Sequence, residues 1–175
     1  AMRMILLYIF NPQYGILNAA LSAVGLRPLR WINDTSTAHM SIVIVTIWRT
    51  LGYCVVVYLG AIQNISEEII EAAHIDGANA WQTTWKITMP LVSPTTFMLL
   101  ILQTISIMKL FTTIENMTGG GPGNATANLP MRRYDYAVSR HQMGYAAASA
   151  MVLCALILLI NLIQMSLERF VSYDA

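Results

Sequence analysis

The residues of this sequence that are able to do chemistry do not gather into a reaction centre. His39, His74 and His141 lie in three separate connections, so no metal-ligand spacing forms. No G-x-x-x-x-G-K-[ST] loop occurs, and the Gly119–Gly123 run lacks the lysine and the following helix, so it does not read as a phosphate-binding loop. Ser106 and Ser149 sit in apolar stretches with no histidine to activate them, which argues against an intramembrane enzyme. What does recur at helical spacing is a set of polar residues inside apolar runs. Thr46, Arg49, Thr50 and Tyr53 form one stripe at i, i+3, i+4 and i+7; Thr96, Gln103 and Ser106 share a second face, with Lys109 near its end. Such stripes supply hydrogen-bond donors and acceptors for a polar solute in a cavity. They equally suit polar helix–helix packing, with Arg49 paired to an acid on another helix.

The elements that carry these stripes follow from composition. Of 175 residues, 56% are hydrophobic and 11% charged, against about 25% charged in an ordinary soluble domain. Ten Lys and Arg nearly balance nine Asp and Glu, which argues against a basic nucleic-acid binder. The chain is too apolar for disorder. Two cysteines, Cys54 and Cys154, each inside an apolar run, do not make a disulfide framework. A membrane protein remains. A spanning helix takes about 20 apolar residues, and the runs at 40–62, 91–113 and 145–167 meet that length. Their apolar content is continuous rather than alternating, so they predict helices, not barrel strands.

Met2 to Phe10 is apolar but too short to span, and Asn11-Pro12 follows at once. It lacks the layout of a signal peptide. It reads as the end of a helix whose beginning lies upstream, so the chain is expected to be part of a longer protein, incomplete at the N-terminus. Between the runs, residues 11–39 hold turn signals around a short interfacial helix at Ile16 to Val24. Residues 114–144 contain Thr118-Gly119-Gly120-Gly121-Pro122-Gly123, which predicts a flexible or tightly turned loop.

The connection at 63–90 has a different character. Asn64 with Glu67 three residues later predicts a capping box, and Glu67, Glu68 and Glu71 suit the positive end of a helix. Ile69, Ile70, Ala73 and Gly77 recur at three- and four-residue spacing, and Gly77 is placed to end the helix in a left-handed cap. A second helical stretch, with Trp81, Trp85 and Thr88 on one side, runs to Pro90. Two short helices about a glycine make either a docking element or an ordinary amphipathic interfacial loop.

At this point the sequence resembles a known family. Glu71-Ala72-Ala73, three residues, Gly77, nine residues, Ile87, one residue, then Met89-Pro90 is similar to the EAA motif of ABC importer permeases, E-A-A-x3-G-x9-I-x-L-P, with Met89 in place of leucine. The string EAAHIDGA from Glu71 to Ala78 resembles the sugar-permease version. Phe111 to Pro122 is similar to the F-D-x-I-Y-x-x-T-x-G-G-P run of carbohydrate permeases, with Thr112 and Glu115 departing from it. Gly144-Tyr145-Ala146-Ala147-Ala148, opening the last run, is a third likeness.

The resemblance implies an all-α membrane protein, a multi-span helical bundle filling residues 1–175 as the C-terminal part of such a permease. It implies that 63–90 is the cytoplasmic coupling loop, with Glu71, Ala72, Ala73, Asp76, Gly77, Ile87 and Pro90 docking an ATP-binding subunit. Arg49, Tyr53, Gln103 and Ser106 are the candidate substrate path. The expected partners are an ATPase pair, which binds the ATP and magnesium, a second permease, an extracytoplasmic solute-binding protein and the bilayer of a bacterial inner membrane. No cofactor is expected on this chain, and no nucleic acid. Other small polar solutes, such as glycerol phosphate or polyamines, are alternatives to sugars, and a non-catalytic anchor or channel subunit is the rival class. Charge runs against this topology. Arg27, Arg30, Arg132, Arg133 and Arg140 lie opposite the 63–90 side, whose nearby basic residues are Lys86 and Arg169. The motif outweighs the count, because acidic residues contribute little to that rule.

Overall fold

The structure is a computed structural model describing residues 2–171, and all regular elements among them are helices. In chain order these are α1 (Met2–Ile9), α2 (Ile16–Ala23), α3 (Thr35–Gln63), α4 (Glu67–Ile75) and α5 (Ala80–Thr83). A π-helical turn at Thr84–Thr88 leads to α6 (Met89–Leu91) and α7 (Ser93–Met108). Then come α8 (Thr112–Met117), α9 (Leu129–Tyr134), a second π-helical turn at Asp135–Ser139, and α10 (Met143–Val171). Helix α3 and the stretch Met143–Glu168 of α10 are each long and apolar enough to cross a membrane. Only 17% and 11% of their most apolar stretches are buried within the chain, so the remaining surface suits lipid or further helices. The chain divides into two compact units.

The first unit holds residues up to Trp48 together with Met108–Leu156. Its core joins Leu6 of α1 and Phe10 just after it, Trp31 ahead of α3, Ile42 and Val45 of α3, and Ile114 and Met117 of α8. Phe10 meets the Trp31 ring edge-on at 5.9 Å. The buried residue of α2 is polar: Asn18, 5% exposed. Its amide nitrogen donates to the carbonyls of Pro12 and Leu29, each at 2.9 Å. Its oxygen accepts from the Leu29 backbone N–H at 3.0 Å and from Trp31 Nε1 at 2.8 Å. The side chain is therefore fully satisfied, and it replaces backbone ladders where the chain between α2 and α3 has none. Ser41, fully buried, continues the tie by donating to the carbonyls of Trp31 and Thr37.

The glycine run is tightly turned. Gly119 and Gly120 take φ of 57° and 85°, conformations that glycine adopts without a Cβ clash. The hydroxyls of Thr118 and Thr126 meet at 2.8 Å, and Thr126 donates to the Gly121 carbonyl at 2.9 Å. Asn128 caps α9 by accepting from Met131 N at 3.2 Å, while its amide donates to the Leu110 carbonyl.

The second unit holds Arg49–Ile107 and residues from Ile157 onward. Tyr58 of α3 donates to Thr96 of α7 at 2.9 Å. Gln164 of α10 donates to Thr104 of α7 at 2.8 Å, and Thr104 in turn donates to the Leu100 carbonyl.

Two local expectations are corrected here. The run at 91–113 is not one helix: α7 ends at Met108, and Lys109–Phe111 breaks the chain before α8. At its other end the segment Ala80–Leu91 is bent from α7 by 57°. Pro94 explains that bend. It lacks the N–H that would bond Pro90, and its ring obstructs the Pro90 carbonyl. The second correction concerns Asn64. Because α3 runs to Gln63, Asn64 closes that helix, donating to the Gly60 carbonyl at 2.8 Å, and Ser66 precedes α4 without a side-chain cap bond.

Asn18 is the point at which this arrangement is most vulnerable. Asn18→Leu leaves two donors and two carbonyls without partners, and each buried orphan costs about 1–3 kcal/mol. We expect a loss of about 3 kcal/mol or more in the full-length protein, after partial hydration of the exposed edge. Thermal unfolding followed by tryptophan fluorescence checks this; an unchanged midpoint would contradict it.

Candidate functional site

Two features of the second unit bear the residues singled out by sequence. The first is the segment from α4 to α6. Helix α4 begins with Glu67 and Glu68 in its first turn, where the helix dipole favours negative charge. It ends at Gly77, with φ of 80°. Gly77 N donates to the His74 carbonyl at 3.0 Å and Ala78 N to that of Ala73 at 2.9 Å, the paired bonds of a Schellman cap. A Cβ at Gly77 would meet nothing within 4 Å, so the backbone conformation alone selects glycine there.

Helix α5 then starts with a capping box that the sequence reading missed. Asn79 accepts from Gln82 N at 2.8 Å, and the Gln82 side chain accepts from Asn79 N at 2.9 Å. The N-x-x-Q spacing was the available signal. Trp81 and Trp85 meet at 5.5 Å and stay exposed, at 71% and 51%. Ile75, at the end of α4, is 85% exposed. Glu71, Ala72 and Asp76 are exposed, whereas Ala73 is buried against the chain's own atoms. The small apolar face is thus only partly an outward one. Ile87 lies half-buried in the π-helical turn and Pro90 exposed in α6. The outward surface is acidic, with apolar and aromatic knobs between the carboxylates.

The second feature is a cavity of about 420 Å³ lined by Arg49, Thr50, Tyr53, Leu102, Gln103 and Ser106. Helices α3 and α7 place all six. The structure brings together the four path candidates, Arg49, Tyr53, Gln103 and Ser106, and adds Thr50 from the same stripe. It separates the remaining polar residues from them. Thr46 donates back to the Ile42 carbonyl at 2.7 Å, and Thr96 receives the Tyr58 hydroxyl, so these two serve helix geometry and packing. A guanidinium, an amide, three hydroxyl groups and one aromatic ring can hydrogen-bond a polyhydroxylated solute and cover an apolar face of it. No group of three or more His, Cys, Asp or Glu able to hold a metal occurs among the described residues.

Two apolar helices of crossing length, a polar cavity between one of them and α7, and a short, doubly capped helical segment joining α3 to α7 suit an integral membrane component of transport type. The chain belongs to the binding-protein-dependent transport system inner membrane component family, which it matches over residues 1–173. It is 37% identical over 160 residues to a probable ABC transporter permease protein, YurN, of Bacillus subtilis, covering 90% of this chain and 55% of the relative. It is 32% identical over 161 residues to the trehalose/maltose transport system permease protein MalF of Thermococcus litoralis, covering 92% and 54%. A chain in the crystal structure of a bacterial alginate ABC transporter, in complex with an alginate pentasaccharide-bound periplasmic protein, superposes with a TM-score of 0.84 at 25% identity, covering 97% of this chain and 59% of that one. The chain thus spans little more than half the length of these proteins. The family and these relatives are transport components, not catalytic subunits.

The capping box gives a local test. Asn79→Ala removes the side chain that holds Gln82 N, and losing such a cap costs about 0.5–2 kcal/mol. Hydrogen exchange of the full-length protein in a nanodisc should show faster exchange across 79–83, with α10 unaffected. Unchanged protection there would mean that the box does not hold α5.

Proposed function

We propose that this chain is the permease portion of an ATP-driven importer for carbohydrates in a bacterial inner membrane. It works with a second permease, an ATPase pair that binds the ATP and magnesium, and an extracytoplasmic solute-binding protein. The segment from Glu67 to Pro90 is its cytoplasmic coupling element, and the cavity at Arg49, Tyr53, Gln103 and Ser106 is part of the solute path. The observation that carries this reading is the α4–Gly77–α5 arrangement on the E-A-A-x3-G spacing, in a chain of this family. An acidic, rigidly capped surface with exposed Ile75, Trp81 and Trp85 suits a partner with a basic rim and an apolar floor. Sugar-transport relatives support the solute class.

Coupling is tested by Glu71→Lys and Gly77→Val in the full-length complex. The first reverses a charge at the interface, where breaking a desolvated pair costs about 3–5 kcal/mol. The second forces a β-branched residue into the left-handed region, costing about 1–2 kcal/mol. Since 1.4 kcal/mol is tenfold in affinity, ATPase co-purification should fall by about tenfold or more for Glu71→Lys, and solute-stimulated hydrolysis should weaken in both. Wild-type association and stimulation in both variants would remove the segment from this role.

Sidedness is tested with cysteine at Arg133, an exposed helical position in α9, in a background where Cys54 and Cys154 are replaced. An impermeant maleimide added to intact cells or spheroplasts should label it. Labelling only after permeabilisation would reverse the orientation and restore the positive-inside count.

A further inference from the structure

Resting on the membrane reading but not on the coupling role, we infer that α9, the π-helical turn after it and the first turn of α10 form a headgroup-level site for anionic phospholipids, in which Arg132 and Arg133 hold the lipid phosphate. The depth of the site follows from α10, which is long and apolar enough to cross a membrane. Its apolar run at 145–167 is about 34 Å of helix at about 1.5 Å per residue, slightly longer than the hydrocarbon core of about 30 Å. Tyr145 therefore stands at the boundary between hydrocarbon and headgroups. Three contacts tie the preceding segment to that level. Tyr136 stacks on Tyr145 with ring centroids 5.7 Å apart. The Arg140 guanidinium lies 5.1 Å from the centre of the Tyr136 ring, and Arg140 in turn holds Asp135 at 2.8 Å. A segment pinned in this way to the first turn of a spanning helix lies along the bilayer surface.

The surface it displays matches that depth. Tyr134, Val138, Met143 and Tyr145 are each about half exposed or more. An interfacial layer accommodates such aromatic and apolar groups, with basic residues among them. Arg132 and Arg133 are exposed at the end of α9. Asp135 is taken up by Arg140, and neither Arg132 nor Arg133 makes an ion pair among the described residues. Residues 129–145 hold Arg132, Arg133 and Arg140 against the single acid Asp135, and this positive excess favours anionic over zwitterionic lipid. A guanidinium takes two phosphate oxygens at once, and the tyrosine hydroxyls donate to phosphate or ester oxygens beside it. A soluble partner would meet the arginines equally well, but not a tyrosine at the edge of the hydrocarbon, so the depth favours lipid. In the proposed orientation these arginines lie outside, where the positive-inside count does not expect them. Headgroup binding gives that charge a task.

The experiment places an environment-sensitive fluorophore at Val138→Cys, in a cysteine-free full-length complex with its ATPase, in nanodiscs. The quenchers are phosphatidylglycerol and phosphatidylcholine carrying the same nitroxide high on one acyl chain. Both should quench, and phosphatidylglycerol should associate about tenfold tighter or more, as two arginines at a membrane surface provide. Its advantage should shrink as salt rises from about 0.05 to 0.5 M, because the screening length falls. Arg132→Gln with Arg133→Gln should bring the ratio towards one, whereas Arg132→Lys with Arg133→Lys should keep part of it. The salt dependence of the complex with both arginines decides the matter if the double glutamine variant does not assemble. Quenching by aqueous iodide and by neither lipid would put the segment above the bilayer, as a surface for a soluble partner, and overturn the inference. Equal association of the two lipids, or a preference that survives the double glutamine variant, overturns it as well. ATPase association and solute-stimulated hydrolysis, measured on the same samples, report separately on the transport reading.

Discussion

Wherever a chain leaves a helix, its backbone N–H and C=O groups lose their helical partners and need others, from side chains or from water. This constraint organises the structure more than any apolar contact. Most of the breaks are closed by asparagine, which carries two donors and two acceptor sites on a short side chain. Asn11 accepts from the N–H groups of Gln13 and Tyr14 after α1. Asn18 satisfies four backbone and side-chain groups between α2 and α3. Asn64 closes α3, Asn79 opens α5, and Asn128 holds both the start of α9 and the carbonyl of Leu110. Apolar residues on α3 and α10 remain largely exposed, so hydrophobic burial within this chain does not by itself select the conformation of the connections. Side-chain hydrogen bonds do.

The same device stiffens the corner between α4 and α5. A Schellman cap ends α4 and a capping box begins α5, with only Ala78 between Gly77 and Asn79. The backbone groups that a loop would leave to solvent are paired on both sides of the corner. The exposed carboxylates and indoles are therefore displayed from a fixed frame. A partner that binds such a frame loses little conformational freedom in it, which is the physical advantage of a preorganised surface.

Legibility from sequence followed the range of the forces involved. The long apolar helices and the left-handed turn at Gly77 were readable, because hydropathy and backbone sterics are local. The two polar stripes were readable as stripes, but not their fate. Whether Thr96 packs and Gln103 lines a cavity depends on what α3 presents opposite, and Tyr58 faces the former while Arg49 and Tyr53 line the cavity with the latter. The break at Lys109 and the role of Asn18 were hidden because their partners, Asn128 and Trp31, lie 13 or more residues away. The misplaced box at Asn64 was an error of two residues in the start of α4, whose N-cap position is Ser66, and Asn64 instead closes α3. The π-helical turns at 84–88 and 135–139 have no sequence signature, since each needs only a shifted hydrogen bond.

Chain connectivity adds a mechanical consequence to this geometry. The cavity has one wall on α3 and the other on α7, and the segment from α4 to α6 is the stretch that joins those two helices. From Tyr53 to Gln63 the α3 wall is uninterrupted helix, about 15 Å at 1.5 Å per residue, so a displacement at its end is carried to the cavity with little loss. The α7 wall is reached differently. Between Trp85 and Gln103 the chain passes a π-helical turn and a 57° bend next to Pro94, both places where the ladder is already altered. Under the proposed coupling role, a load applied at residues 67–90 would meet one stiff arm and one jointed arm. Equal motion of both walls would only translate the cavity, whereas unequal motion changes the distance between Arg49 and Gln103. Under the coupling role proposed above, the asymmetry of the two arms would convert a push on that distant surface into a change in the space between them.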